Sequence, residues 1–318
     1  MGLGCWQLGA DWGEVDEGDA LAVLHAAADE GVTFFDTADV YGDGRSERLV
    51  GRFLRERRAA GADADALVVA TKAGRRADPH VPAAYTAANL RAWTDRSRRN
   101  LGVDTLDLVQ LHCPPTPVYS SDAVYDALDA MVEEGRIKAY GVSVETCEEA
   151  LTALARPHVA SVQIILNCLR LKPLERVLPA AAEAGAGIIA RVPLASGLLS
   201  GRYTASTTFA ENDHRNYNRH GDAFDVGETF SGVPYEVGLE AVERLRGLVP
   251  SGQTLAQFAL RWIIDQPGVS TVIPGARNAS QASANTAAAA LPPLSSEAQA
   301  AVRETYAELI RPLVHDRW

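Results

Sequence analysis

Short apolar runs and longer amphipathic stretches alternate along this chain from end to end. The first run spans Leu3 to Leu8. It is followed by Gly18 to Glu30, where Leu21, Leu24, His25 and Ala28 fall on one helical face. Val32 to Phe35 reads as a second strand and Glu47 to Ala59 as a second helix, with Ser46 standing where an N-cap would. Leu67 to Thr71 is a third strand ending at Lys72, before a helix over Ala83 to Leu101. Leu106 to Leu111 ends at His112, and the helix after it, Asp122 to Glu134, is stopped by Gly135. The pairs Ile137 to Val144 with Cys147 to Ala155, and Ser161 to Leu166 with Leu174 to Ala184, continue the pattern. Gly187 to Pro193 is the seventh strand.

A long irregular segment, Gly201 to Pro234, interrupts the alternation. Segments of that length in a compact domain are usually functional or disordered; His214, Arg215, Tyr217 and Phe224 make this one a candidate cover for cofactor or substrate, with a merely decorative insertion as the alternative. Helices resume at Glu236 to Gly247 and Thr254 to Asp265. Ser270 to Ile273 is the eighth strand, and Asn278 to Ala289 and Ser296 to Leu309 close the chain. Eight strand–helix units at roughly 30–40 residues apiece predict a (β/α)8 TIM barrel spanning residues 1–318 as one domain. The strands are short and continuously apolar, as parallel strands covered on both faces should be. A doubly wound sheet is the rival. It asks for G-x-G-x-x-G after its first strand, and neither GLGCWQ nor GDGRSE supplies that fingerprint.

Composition narrows the function. The net charge is −11 over 318 residues, with the acids spread along the chain, which argues against a nucleic-acid partner. Cys5, Cys113, Cys147 and Cys168 lie far apart with no ligand-spaced histidine, so neither a disulfide framework nor a metal site is expected, and a cytoplasmic location fits. No apolar segment reaches the length of a membrane span.

In a barrel of this kind, polar groups at the C-terminal ends of strands converge on one rim. Asp36 follows the second strand, Tyr41 sits on the loop after it, Lys72 ends the third and His112 the fourth. Taken singly, Asp36 could form a turn, Lys72 could be a surface lysine and His112 a satisfied core imidazole. Together they have a chemical logic. A lysine ammonium beside a phenol lowers the phenol's pKa, Asp36 keeps that lysine charged, and His112 orients a carbonyl oxygen that Tyr41 protonates. Such a site reduces a carbonyl when a hydride donor is bound nearby.

These residues sit in motifs that resemble those of the aldo-keto reductases. GLGCWQLG is similar to that family's first barrel strand, and FFDTADVYGDGRSERLVG to its D-T-A-x-x-Y-G-x-G-x-S-E signature. ATK, ending at Lys72, and QLHCP, containing His112, match the next two motifs. The resemblance implies a catalytic tetrad of Asp36, Tyr41, Lys72 and His112, and an extended NADPH (NADP) cofactor, with NAD as the alternative. It places Ser143 of GVSV and Gln163 of SVQIILN at the carboxamide, and Arg191 where a nicotinamide-stacking aromatic often stands. Leu194, Ser196, Gly197, Leu198 and Arg202 are implied at the pyrophosphate. Gly275, Ala276, Arg277, Gln281 and Asn285 are implied at the adenosine end, where a guanidinium at Arg277 suits a 2′-phosphate.

Three departures from the family pattern stand out: Val144 in place of an asparagine, Arg191 in place of an aromatic, and no short hairpin before the first strand to seal the barrel floor. Either the start is truncated or a partner subunit covers that end, so a homo-oligomer is among the expectations. The implied activity is NADPH-dependent reduction of a ketone or aldehyde. The narrowest resemblance is to an actinobacterial polyketide side-chain ketoreductase of the mithramycin-pathway type, in keeping with Ala- and Arg-rich usage. The alternatives are a regulatory cofactor-binding subunit akin to channel β-subunits, a sugar-derivative reductase or dehydrogenase, and a barrel isomerase using LASGLLSG as a phosphate clamp.

Overall fold

The computed structural model describes residues 1–9 and 15–318. Eight parallel strands pair in sequence order: β1 (Gly2–Gly4), β2 (Phe34–Asp36), β3 (Val68–Ala73), β4 (Leu106–His112), β5 (Ile137–Ser143), β6 (Val159–Ile165), β7 (Gly187–Arg191) and β8 (Val269–Val272). One parallel bridge joins Gly4 to Gly275, and the Gly4 N–H donates to Pro274 O at 3.0 Å, so the sheet closes into the expected (β/α)8 barrel. The outer ring is carried by α1 (Glu17–Asp29), α2 (Arg45–Ala59), α3 (Ala87–Leu101), α4 (Asp122–Glu133), α5 (Cys147–Leu154) and α6 (Pro173–Ala184). The one-turn α7 (His214–Tyr217) lies in the long loop, and α8 (Tyr235–Arg246), α9 (Leu255–Ile264), α10 (Ala279–Thr286) and α11 (Ser296–Thr305) complete the ring. None of the described helices is long and apolar enough to cross a membrane.

Strand side chains alternate between faces, so residues two apart share the barrel interior. Near the floor this interior is an apolar plug of Ala70, Leu108, Ile189 and Ile273, with Phe34 and Ala139 packed on it. Two residues further along the same strands come Asp36, Lys72, Gln110 and Arg191. One step of the pleat thus carries the interior from hydrocarbon to charge, which places the polar groups at the C-terminal mouth.

Two local expectations need correction. The first strand is shorter than Leu3 to Leu8, because the chain leaves the sheet after Gly4 and turns through a 3₁₀ helix over Trp6–Gly9. A Cβ at Gly4 would lie 2.9 Å from Ile273 O, so this crossing is built for glycine. Ser46 is not an N-cap: α2 begins two residues earlier, after Gly44 at φ 82°. The buried Ser46 hydroxyl instead accepts from Thr37 Oγ1 and donates to Cys5 O, both at 2.8 Å, fastening the loop after β2 to the end of β1.

Candidate active site

The loop after β2 turns back over the mouth at Gly42, whose φ is 56°. A Cβ there would lie 2.1 Å from Gly9 O, so a side chain at this position would push Tyr41 off its place. Arg45 reinforces the turn by donating to Leu8 O and Val15 O, at 2.5 and 2.6 Å. The Tyr41 ring stacks beside Trp6, 6.2 Å between centroids, and meets the His112 ring edge-on at 5.9 Å.

Lys72, fully buried, donates to Asp36 Oδ1 at 2.5 Å, to Thr37 O at 2.9 Å and to Tyr41 Oη at 3.2 Å. Its three donors therefore have three acceptors, the arrangement a buried ammonium requires. Burial works against the ammonium, but the charges of Asp36 and Tyr41 outweigh it and raise the Lys72 pKa. The Tyr41 pKa moves opposite to the expected lowering. Burial raises it, and the opposing pull of Lys72 does not fully cancel that effect. Tyr41 accordingly holds its proton at neutral pH, with an ammonium in place to receive the phenolate when the proton leaves. The pKa of His112 is driven well below 6.5 by burial and then by Arg75, Lys72, Arg191 and His80, so the imidazole is neutral. Its buried Nδ1 has no hydrogen-bond partner among the described residues.

Two amides complete this network. Gln163 Nε2 donates to Asp36 Oδ2 at 2.7 Å and to Gln110 Oε1 at 3.1 Å, and Gln110 Nε2 donates to Asp36 Oδ2 at 3.1 Å. Sequence reasoning missed Gln110, although its position two residues before His112 on the same strand already places it in the barrel interior.

Above the tetrad, charges from four elements interlock. Arg191 donates to Glu145 Oε2 at 2.7 Å and to Val144 O at 3.0 Å, and lies 3.6 Å from Glu228, which also accepts from Arg75 at 3.1 Å. Burial raises the Glu145 pKa to about 7, with Glu228 adding to the effect against Arg191. Burial acts on Glu228 as well, but Arg75 and Arg191 overcome it and hold its pKa near 2. Cys113, Glu145 and Glu228 offer ligand atoms within 4.8 Å of one another. The two guanidiniums already balance the carboxylates, and burial raises the Cys113 pKa, so this donor set does not need a cation.

Asp36 and Tyr41 line a cavity of ≈ 500 Å³ whose wall runs from Trp6 and Gln163 past Arg191 to Arg277 and Asn285. The profile of the aldo/keto reductase family matches residues 1–307. The chain belongs to the aldo/keto reductase family. It is 32% identical over 333 residues to an uncharacterised oxidoreductase of Mycobacterium tuberculosis, covering 100% of this chain and 92% of the relative. Among solved structures, the glycerol dehydrogenase of Gluconobacter oxydans superposes with a TM-score of 0.78 at 29% identity, over 99% of this chain and 92% of that one. An aldo-keto reductase of Klebsiella pneumoniae in complex with NADPH gives 0.68 at 27% identity, over 96% and 90%. The protein is thus an NAD(P)H-dependent oxidoreductase.

In this aldo/keto reductase the residues expected at the cofactor divide into two groups. Gln163, Arg191, Leu194, Ser196, Gly197 and Arg202 line the cavity, as do Gly275, Ala276, Arg277, Gln281 and Asn285. Leu198 does not: it is fully buried, packed where a Cβ on Gly238 would strike its Cδ1 at 2.7 Å. Ser143 is buried, and its Oγ accepts from Cys113 Sγ at 3.5 Å. The Ser196 hydroxyl is occupied, donating to Glu228 O at 2.9 Å and accepting from Phe230 N at 3.1 Å. Arg191 is tied down by its carboxylates and Val144 O. Around Ser196 the backbone is strained, with Val192, Ala195 and Ser196 all at positive φ.

The long loop reaches the mouth, and His214 and Phe224 pack against Trp6 at 5.2 and 6.3 Å between centroids. Tyr217 is 40% exposed and meets Phe224 edge-on, 6.2 Å between centroids. Nothing in the sequence pattern singled out Glu228 or Glu145. Their importance comes from Arg75 and Arg191, contributed by two other strand ends.

Proposed function

We propose that this enzyme reduces the carbonyl of a ketone or aldehyde to an alcohol with NADPH, using Tyr41 as the general acid. The observation that carries the reading is the unbroken run from Asp36 through Lys72 to Tyr41 Oη, at 2.5 and 3.2 Å, with Asp36 and Tyr41 both lining the cavity. The cavity's donor set suits an extended dinucleotide. Arg202 and Arg277 offer guanidiniums for phosphate, and an amide, Gln163, stands beside Asp36 on the same wall. The Klebsiella pneumoniae neighbour, solved in complex with NADPH, supports the choice of cofactor. Bound there, NADPH would supply the hydride.

The chain's own residues supply the rest. Neutral His112 donates a hydrogen bond that orients the carbonyl oxygen towards Tyr41. Tyr41 gives its proton to that oxygen, and the Lys72 ammonium 3.2 Å away stabilises the phenolate left behind. Asp36 keeps Lys72 charged and in place. A mouth walled by Trp6, Tyr41 and His214 offers flat apolar faces, which suits a bulky ketone such as a polyketide side chain, the finest substrate class the sequence motifs suggest. A second reading, oxidation of a small polyol or sugar derivative at the same site, is favoured by the neighbour named glycerol dehydrogenase.

The test is to titrate the protein with NADPH by quenching of tryptophan fluorescence, then to follow loss of NADPH absorbance across aldehydes, ketones and, in reverse with NADP, polyols. Saturable binding with carbonyl-dependent oxidation is expected. Tight binding without turnover on any carbonyl or alcohol would contradict the enzymatic reading and favour a regulatory cofactor-binding subunit.

A further inference from the structure

We propose that Gln110 is a positioning residue that fixes the orientation of the Gln163 amide, so that Gln163 presents its oxygen, and not its nitrogen, to the cofactor ring. The inference rests on NADPH binding in the cavity as read above. Its starting point is chemical. An ionised carboxylate only accepts hydrogen bonds, so the two amide atoms within 2.7 and 3.1 Å of Asp36 Oδ2 must both be nitrogens. That fixes which way each side chain faces. The second N–H of Gln163 is then taken by Gln110 Oε1 at 3.1 Å.

With both N–H bonds of Gln163 spent inside the barrel, its one remaining polar function is Oε1, on a residue that lines the cavity. Turning the amide over would set that oxygen against two acceptors, Asp36 Oδ2 and Gln110 Oε1. Gln110 itself is fully buried and lies outside the cavity wall, so it acts only through its neighbours. A lone acceptor held on the cavity wall beside Asp36 suits a ring substituent that carries an N–H, namely a carboxamide, and discriminates against one that cannot donate. The same bonds link Gln163 to Asp36, so the group that reads the ring and the group that keeps Lys72 charged share one buried triangle.

The test compares NADPH with its 3-acetylpyridine analogue, which replaces the carboxamide NH2 with a methyl group. Binding is read by tryptophan fluorescence, independently of activity. One net hydrogen bond to an uncharged amide corresponds to about a five- to ten-fold preference for NADPH in the wild type. In Gln110→Met, which removes the acceptor at similar volume, the preference should fall to less than about two-fold, mainly through weaker NADPH binding. A residue that merely packs would weaken both ligands by the same factor. Should Gln110→Met fail to fold, Gln110→Ala serves the same comparison, with thermal unfolding used to confirm its fold. A wild type that binds both ligands equally, or a Gln110→Met or Gln110→Ala variant that keeps the full preference, overturns the inference while leaving the cofactor reading intact. A wild type that binds neither ligand overturns the cofactor reading itself.

Discussion

Replacing Asp36 with asparagine should expose how much the site depends on one buried charge. Lys72 Nζ sits 2.5 Å from Asp36 Oδ1, with both side chains almost wholly shielded from water. In Asp36→Asn the ammonium keeps Thr37 O and Tyr41 Oη but loses its counter-charge. Breaking a buried pair by removing one partner typically costs about 3–5 kcal/mol, because the surviving charge is left uncompensated. The sign of the pH dependence follows from Lys72. In the wild type its pKa is raised, so its contribution to stability is fully present below 10.5 and lost as pH rises through the folded value. Without Asp36 the effect of burial prevails and the pKa falls below 10.5. The stability deficit of the variant should then be greatest at low pH and shrink as pH rises towards 10.5. Urea unfolding at pH 6, 8 and 9.5, followed by circular dichroism, measures this directly. A deficit below about 1 kcal/mol at pH 6, or one that does not change with pH, would refute the reasoning.

Two further perturbations test other buried charges. Asp39 is fully buried, no side chain among the described residues hydrogen-bonds its carboxylate, and burial followed by Glu47 raises its pKa to about 7 against Arg76, Arg96 and the Val40 N–H. The resulting stability is complete below 3.8 and lost as pH rises through 7. Asp39→Asn should therefore gain on the wild type between pH 4 and pH 8, by roughly 4 kcal/mol at most for a rise of about three units; parallel denaturation curves across that range would contradict this. Glu228→Ala removes the acceptor that Arg75 and Arg191 share. Hydrogen exchange at backbone amides in residues 201–234 should accelerate by about ten-fold or more, and unchanged protection there would mean that the ion pairs do not hold the loop.

Much of this architecture was legible from the sequence because it obeys short periods. Apolar runs of strand length gave the barrel, and the positions of Asp36, Lys72 and His112 at run ends gave the rim. Gln110 was equally readable from the two-residue pleat, yet an amide inside an apolar strand attracts less notice than an ionisable group. The Ser46 cap failed because its hydroxyl serves a contact with Cys5, 41 residues away in sequence. No local pattern encodes that contact. The Tyr41 shift came out reversed because a neighbouring lysine is visible in sequence while burial is not. Leu198 sits in a matching motif, but which side of a turn faces inward is decided by tertiary packing. Glu145, Glu228 and Arg75 acquire meaning only when three loops meet.

The central claim is that Tyr41 delivers the proton, and Tyr41→Phe tests it most directly. The variant loses the hydroxyl 3.2 Å from Lys72 Nζ and keeps the ring beside Trp6 and His112. NADPH affinity by fluorescence should stay within about two-fold of the wild type. The rate of carbonyl-dependent NADPH oxidation should drop by about 10²- to 10⁴-fold, the usual worth of general acid catalysis. A variant that binds NADPH normally and oxidises it with substrate at the wild-type rate would contradict the account.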